Sequence, residues 1–167
     1  LEEYERLSKM IDNMLFIARS EHSDYLIEKQ NIDLNSLIQE LVHYFEFLAE
    51  DKNMTFVLTL ETGIHLYANT DLFKRALSNL MINAIDYGLQ DQEIVISTQS
   101  TQHHVEIEVL TKNIFIDNPH LNHVFDRFYQ IDPSRHHKAK TGGLGLSIVK
   151  SIMMLHQAEA SAYNSPQ

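Results

Sequence analysis

The spacing of hydrophobic residues along this 167-residue chain switches between two periods, one helical and one extended, and so predicts its elements. Over residues 1–21, Tyr4, Leu7, Ile11, Met14 and Ala18 recur at alternating steps of three and four. That is the seam of a helical bundle or coiled coil, and the opposite face is charged. No second helical run adjoins this one, so the seam is expected to meet a helix outside this chain or a second subunit. Packing against the following domain is the alternative. A polar connector over residues 21–31 follows. Asp33 then caps a second helix with Leu34, Leu37, Ile38, Leu41, Phe45 and Leu48 as its buried stripe, ending near residues 51–53.

Residues 56–60 and 64–67 read as two short strands around Gly63. Asn69 or Thr70 starts a third helix, for which Gly88 is a C-terminal stop. Ile94, Ile96 and Thr98 alternate with polar residues, and Val105, Ile107 and Val109 do so again, which predicts an antiparallel hairpin with one buried face. Residues 113–140 are polar and irregular apart from an aromatic knot, Phe125-Asp126-Arg127-Phe128-Tyr129. Gly142 and Gly143 lead into a last helix over residues 144–156, and Ala160-Ser161-Ala162-Tyr163 reads as the start of a final hairpin. The expected fold class is α/β: a two-layer sandwich of a mixed sheet faced by helices, over residues 29–167. One helix and a connector, residues 1–28, precede it as a separate piece.

Charge narrows the function. With 13 basic and 23 acidic side chains the net charge is -10, which argues against general binding to nucleic acid. There is no cysteine, hence no disulfide or thiolate zinc site, in keeping with a reducing compartment. No apolar run approaches the ~20 residues of a membrane span. The chain opens inside a helix without an initiating methionine, so it is expected to be a piece of a longer protein. Among ten histidines, the pair His120/His123 and the doublets His103-His104 and His136-His137 lie in polar stretches and read as solvated loop residues.

Two patterns carry candidate chemistry. Asn79 and Asn83 are four apart, so their amides share one face of the third helix. Two carboxamides on an otherwise core-seeking helix need polar partners. A magnesium ion with nucleotide phosphates supplies them, because asparagine carbonyls are hard oxygen ligands. Capping of neighbouring backbone is the other reading. In the run Thr141-Gly142-Gly143-Leu144-Gly145-Leu146, glycines allow close approach of a ligand and then open a helix whose N-terminus attracts phosphate. A plain hinge is the alternative.

Asn79/Asn83, the knot at 125–129 and the Gly-Leu-Gly-Leu run, in this order and spacing, resemble the N, F and G2 boxes of bacterial sensor histidine kinases. These belong to the wider gyrase, heat-shock-90, histidine-kinase and MutL ATPase superfamily. The opening Leu1-Glu2-Glu3-Tyr4-Glu5-Arg6-Leu7 and the segment Met14-Leu15-Phe16-Ile17-Ala18 resemble the second helix of the dimerisation domain. With Asp132-Pro133-Ser134-Arg135, the chain is similar to heavy-metal (copper/silver) sensor kinases in particular.

The resemblance implies ATP and Mg2+ as cofactors and phosphoryl transfer from ATP to a histidine. It implies Asn83 as the metal ligand, Asn79 as a phosphate-side partner, and Arg127 and Arg135 as cations toward phosphate. Nucleotide contacts would come from Tyr87, Thr111, Asn113, Phe128 and Arg135, and from Thr141, Gly142, Gly143, Leu144, Gly145 and Leu146, with residues 118–140 as a mobile lid. Partners would be the phosphoacceptor helix of the same kinase, a response regulator and, in the full-length receptor, a second subunit. The location would be the cytoplasmic side of a bacterial inner membrane.

Several positions depart from the family. Thr111 and Asn113 stand where it has an adenine-binding Asp or Asn and, two residues on, a glycine, so Asn113 or Asp117 is the alternative adenine partner. Asp86 replaces a Lys or Arg facing phosphate, and Thr141 replaces the first G2 glycine. No histidine sits in the phosphoacceptor context. A degenerate domain that binds nucleotide poorly and acts as an interaction module is the rival expectation.

Overall fold

The computed structural model describes residues 2–22, 24–131 and 142–165. In chain order the elements are α1 (Glu2–Ser20), β1 (Gln30–Asp33), α2 (Leu34–Glu50), β2 (Thr55–Leu60), β3 (His65–Ala68), α3 (Thr70–Tyr87), β4 (Glu93–Ser100), β5 (Val105–Thr111), α4 (Asn118–Leu121) and α5 (Gly145–Leu155). They fall into two compact units: Glu28–Ile114, and Leu1–Ile27 with Phe115–Pro166.

The first of these units is the expected α/β layer. β2 pairs in parallel with β4, which pairs antiparallel with β5, so the sheet is mixed. Register aligns Phe56 with Ile94 and Thr111, Leu58 with Ile96 and Val109, and Leu60 with Thr98 and Ile107. These rows share one face, where Ile94 and Ile96 have no exposed surface. Helices α2 and α3 touch each other, α2 also packs on β2, and α3 also packs on β5. The Asp33 carboxylate caps α2 by accepting from the Ser36 backbone N–H at 3.0 Å. The stripe it launches is Leu34, Leu37, Ile38, Leu41, Val42, Phe45 and Ala49. Leu48, expected in that stripe, is 42% exposed, because the buried face continues through Val42 to Ala49.

Both strands expected around Gly63 form, and a further strand joins them. The two strands around Gly63 do not belong to one sheet: β2 joins β4, while β3 pairs antiparallel with β1. β1 begins inside the expected connector. Only Ile32 among its four residues is buried, too little for a period-two signal, and its partner's backbone recruits it.

In the other unit α1 packs against α5. The expected seam of Tyr4, Leu7, Ile11, Met14 and Ala18 stays exposed, while α1 buries a different side through Asn13, Phe16 and Ile17. Residues 158–165 form no strand. Instead the Asn164 carboxamide mimics one rung of a ladder, accepting from Ile116 N–H at 2.9 Å and donating to Ile116 C=O at 2.8 Å.

Candidate functional site

The Asn69 side chain caps α3 by accepting from Leu72 N–H at 3.0 Å. The helix buries Phe73, Ala76, Leu77, Met81, Ala84 and Ile85. Asn79 and Asn83 lie outside that stripe and are half-buried. Their situations differ. Asn79 Nδ2 donates to the Arg75 carbonyl at 2.8 Å, so part of its capacity is used within its own helix. The Asn83 carboxamide has no hydrogen-bond partner among the described residues, and a half-buried amide in that state is suited to receive a ligand. Tyr87, 43% exposed, closes the helix.

Gly88 ends α3 for a reason other than the one expected. Its φ of -60° and ψ of 152° are open to any residue. A Cβ there would instead collide with the Met54 methyl and the Ala84 carbonyl, so the position needs glycine for space. Asp86 faces Lys52 from the turn after α2. The Lys52 ammonium donates to the Ile85 carbonyl and, at 3.2 Å, to that of Asp86, and lies 4.0 Å from the Asp86 carboxylate.

Thr111 is the last residue of β5, on the face shared with Ile94, and is half-buried. Asn113 holds φ +60°, the left-handed conformation that suits a glycine and that asparagine tolerates. Its amide donates to Gln92 Oε1 at 3.0 Å. Asp117 is exposed at the N-terminus of the short α4.

In the second unit the aromatic knot and the glycine run meet. Phe128 N–H donates to the Gly143 carbonyl at 3.0 Å. Phe128 holds φ +62° and Gly143 φ +78°, and a Cβ on Gly143 would lie 3.0 Å from the Phe128 Cα and carbonyl carbon. Gly143 is therefore required twice, by conformation and by close approach. Gly142 also has positive φ, at +60°. Leu144 and Gly145 are buried and Leu146 is half-buried as α5 begins. Among the described residues no side chain caps α5, which leaves its first N–H groups suited to an anion.

Arg127 is not idle: its guanidinium forms an ion pair with Glu21, just past α1. Together with Ser20, Phe125, Asp126, Ser147, Lys150, Ser151 and Met154 they line a cleft of about 350 Å³. The histidines beside the knot have local work. His120 Nδ1 meets the Tyr129 hydroxyl at 2.5 Å, and His123 Nδ1 meets the Asp126 carboxylate at 2.7 Å. Among the described residues no group of three His, Cys, Asp or Glu side chains is arranged to hold a metal ion. Arg135, Thr141, His136 and His137 lie outside the described residues. Sequence reasoning missed Lys52 and Glu21, whose partners lie far away in sequence and leave no spacing signal.

Residues 68–167 match the profile of the family described as histidine kinase-, DNA gyrase B-, and HSP90-like ATPase. The chain is 36% identical over 157 residues to the sensor histidine kinase CusS of Escherichia coli, covering 94% of this chain and 32% of that protein. It is 35% identical over 162 residues to the sensor protein CzcS of Cupriavidus metallidurans, covering 97% and 34%. The chain thus spans about a third of the sensor proteins it matches. Among solved structures, the catalytic domain of histidine kinase ThkA superposes with TM-score 0.67 at 25% identity, over 76% of this chain and 80% of that one. The Acinetobacter baumannii histidine kinase AdeS gives 0.75 at 18% identity, over 91% and 68%, a likeness of fold.

Proposed function

Because this chain belongs to the family of histidine kinase-, DNA gyrase B-, and HSP90-like ATPases, we propose that it is the ATP-binding catalytic part of a membrane sensor histidine kinase. By its resemblance to heavy-metal sensor kinases, its role would be in metal-ion response. The whole protein would transfer the γ-phosphoryl group of ATP to a histidine. It would then serve a response regulator, as a second subunit and a phosphoacceptor helix of the same kinase come together on the cytoplasmic side of the membrane. No described helix is long and apolar enough to cross a membrane.

The observation that carries the reading is the Asn83 carboxamide, half-buried and without a hydrogen-bond partner among the described residues, one turn after an Asn79 that is already engaged. A hard oxygen ligand in that state fits Mg2+, which takes few protein ligands and keeps its waters and the phosphates. Bound Mg2+ would neutralise phosphate charge as it develops in transfer. Asn79 would use its remaining carbonyl on the polar side of the site, and Tyr87, Thr111 and Asn113 would line the base end. Within the second unit, the N-terminus of α5 after Gly142 and Gly143 has no side-chain cap among the described residues, a setting that suits phosphate oxygens. Arg127 would reach phosphate only on leaving Glu21, and Arg135, outside the described residues, would be the second cation. Catalysis then rests on positioning and charge.

The rival, a domain that no longer binds nucleotide, rested on Thr111, Asn113 and Asp86. Asn113 takes the glycine-like conformation, and Lys52 balances Asp86, so only Thr111 still speaks for it. Calorimetric titration with a non-hydrolysable ATP analogue tests the proposal: binding that strengthens with Mg2+ is expected, and no heat with or without Mg2+ overturns it.

A further inference from the structure

In the second unit, one face of α5 forms a wall of the cleft that Glu21 and Arg127 also line. Ser147, Lys150, Ser151 and Met154 stand on that face at steps of three and four. At about 350 Å³ the cleft has room for a small ligand.

A buried serine in a helix ordinarily turns its hydroxyl back on the carbonyl three or four residues earlier. Ser147, 5% exposed, does so and donates to Leu144 C=O at 2.9 Å. Ser151, 9% exposed, lines the cleft, and its hydroxyl has no partner among the described residues. A buried hydroxyl in that state is costly unless a ligand answers it.

The charges around it select the ligand. Glu21 is paired with Arg127, and the Asp126 carboxylate meets His123 Nδ1 at 2.7 Å. The Lys150 ammonium, one residue from Ser151, has no ion-pair partner among the described residues. One open cation beside one open hydroxyl suits a single carboxylate. A phosphate dianion would face Glu21 and Asp126 with too little positive charge to offset them. Phe125, half-buried, and Met154, 62% exposed, give apolar surface to a short aliphatic tail.

We propose that this cleft binds a small aliphatic carboxylate, its oxygens held by the Lys150 ammonium and the Ser151 hydroxyl and its tail by Phe125 and Met154. The site is independent of the nucleotide reading, so failure of either leaves the other standing.

The test is an NMR titration of the whole 167-residue chain with isocaproate, followed through the backbone amides of α5. Saturable shifts centred on Ser147, Lys150 and Ser151 are expected, with a Kd of about 1–10 mM, the range open to so small a ligand. Isocaproamide has the same shape without the charge and should bind about fivefold more weakly. Ser151→Ala and Lys150→Gln should each weaken isocaproate about fivefold, as for one hydrogen bond or one screened ion pair. Ser151→Ala removes a single atom and places a better helix former in α5, so its folding is not in question. No saturable shift in the parent, equal binding of the amide, or parent-like affinity in either variant overturns the site. Shifts confined to residues 143–145 would put the anion at the start of α5 and overturn it as well.

Discussion

Single side chains separate the two asparagines that look equivalent in the sequence. Asn79 spends a donor on Arg75, whereas Asn83 has no partner among the described residues. Removing Asn83 therefore disturbs little in the folded chain and should act on the ligand. Asn83→Ala is expected to leave the melting temperature nearly unchanged and to weaken Mg2+-dependent nucleotide affinity by about 1–3 kcal/mol, as for a lost polar contact. Equal affinity in the presence of Mg2+ would remove Asn83 from the metal. Thr111 is the other decisive position. Its hydroxyl either accepts from an adenine amino group or donates to a guanine carbonyl, so preference for ATP over GTP should be slight. Thr111→Asp supplies an acceptor-only group and should raise both affinity and preference for ATP, roughly doubling the strength of that hydrogen bond. Paired titrations with ATP and GTP check this, and no change in either would move the adenine contact to Asn113 or Asp117.

Among the elements, those with a strong period were legible and those built by distant partners were not. Asp33, Leu34, Leu37, Ile38 and Leu41 announce α2 because cap and stripe lie within three turns. The β4–β5 hairpin is legible for the same reason, its two halves being adjacent. β1 was hidden, since Gln30, Asn31 and Asp33 are exposed and only β3 makes them a strand. The buried side of α1 was hidden too, because Asn13, Phe16 and Ile17 are less regular than the exposed row from Tyr4 to Met14. In the candidate site, Asn83 and Gly143 were readable, while Lys52 was not, because its contact spans more than thirty residues.

The cap of α2 also makes a pH prediction. The Ser36 backbone N–H, with help from the Ser36 hydroxyl and His65, holds the Asp33 carboxyl below its ordinary value of 3.8. A depressed carboxyl contributes stability above the unfolded value, and that contribution fades as pH falls through the lower folded value. Asp33→Ala should therefore lower the melting temperature at neutral pH. The gap to the parent should narrow once pH drops below about 3.8. A gap that stays constant down to the acid transition would show that the carboxylate charge plays no part in the cap.

At the scale of the molecule, the parallel pairing of β2 with β4 has a consequence for the chain as it is made. β2 is Thr-Phe-Val-Leu-Thr-Leu, six residues with no charge, proline or glycine, and it reaches its ladder partner only after α3 has been completed. Until Glu93–Thr98 emerges from the ribosome, that segment is an open template for other nascent copies of itself, in the manner of a cross-β spine. A chain halted at Gly88 should therefore scatter light and bind amyloid dyes at concentrations where the chain carried through Thr111 stays clear. Thr59→Lys within the halted chain should suppress both signals by setting a repelling charge into every copy of the stack.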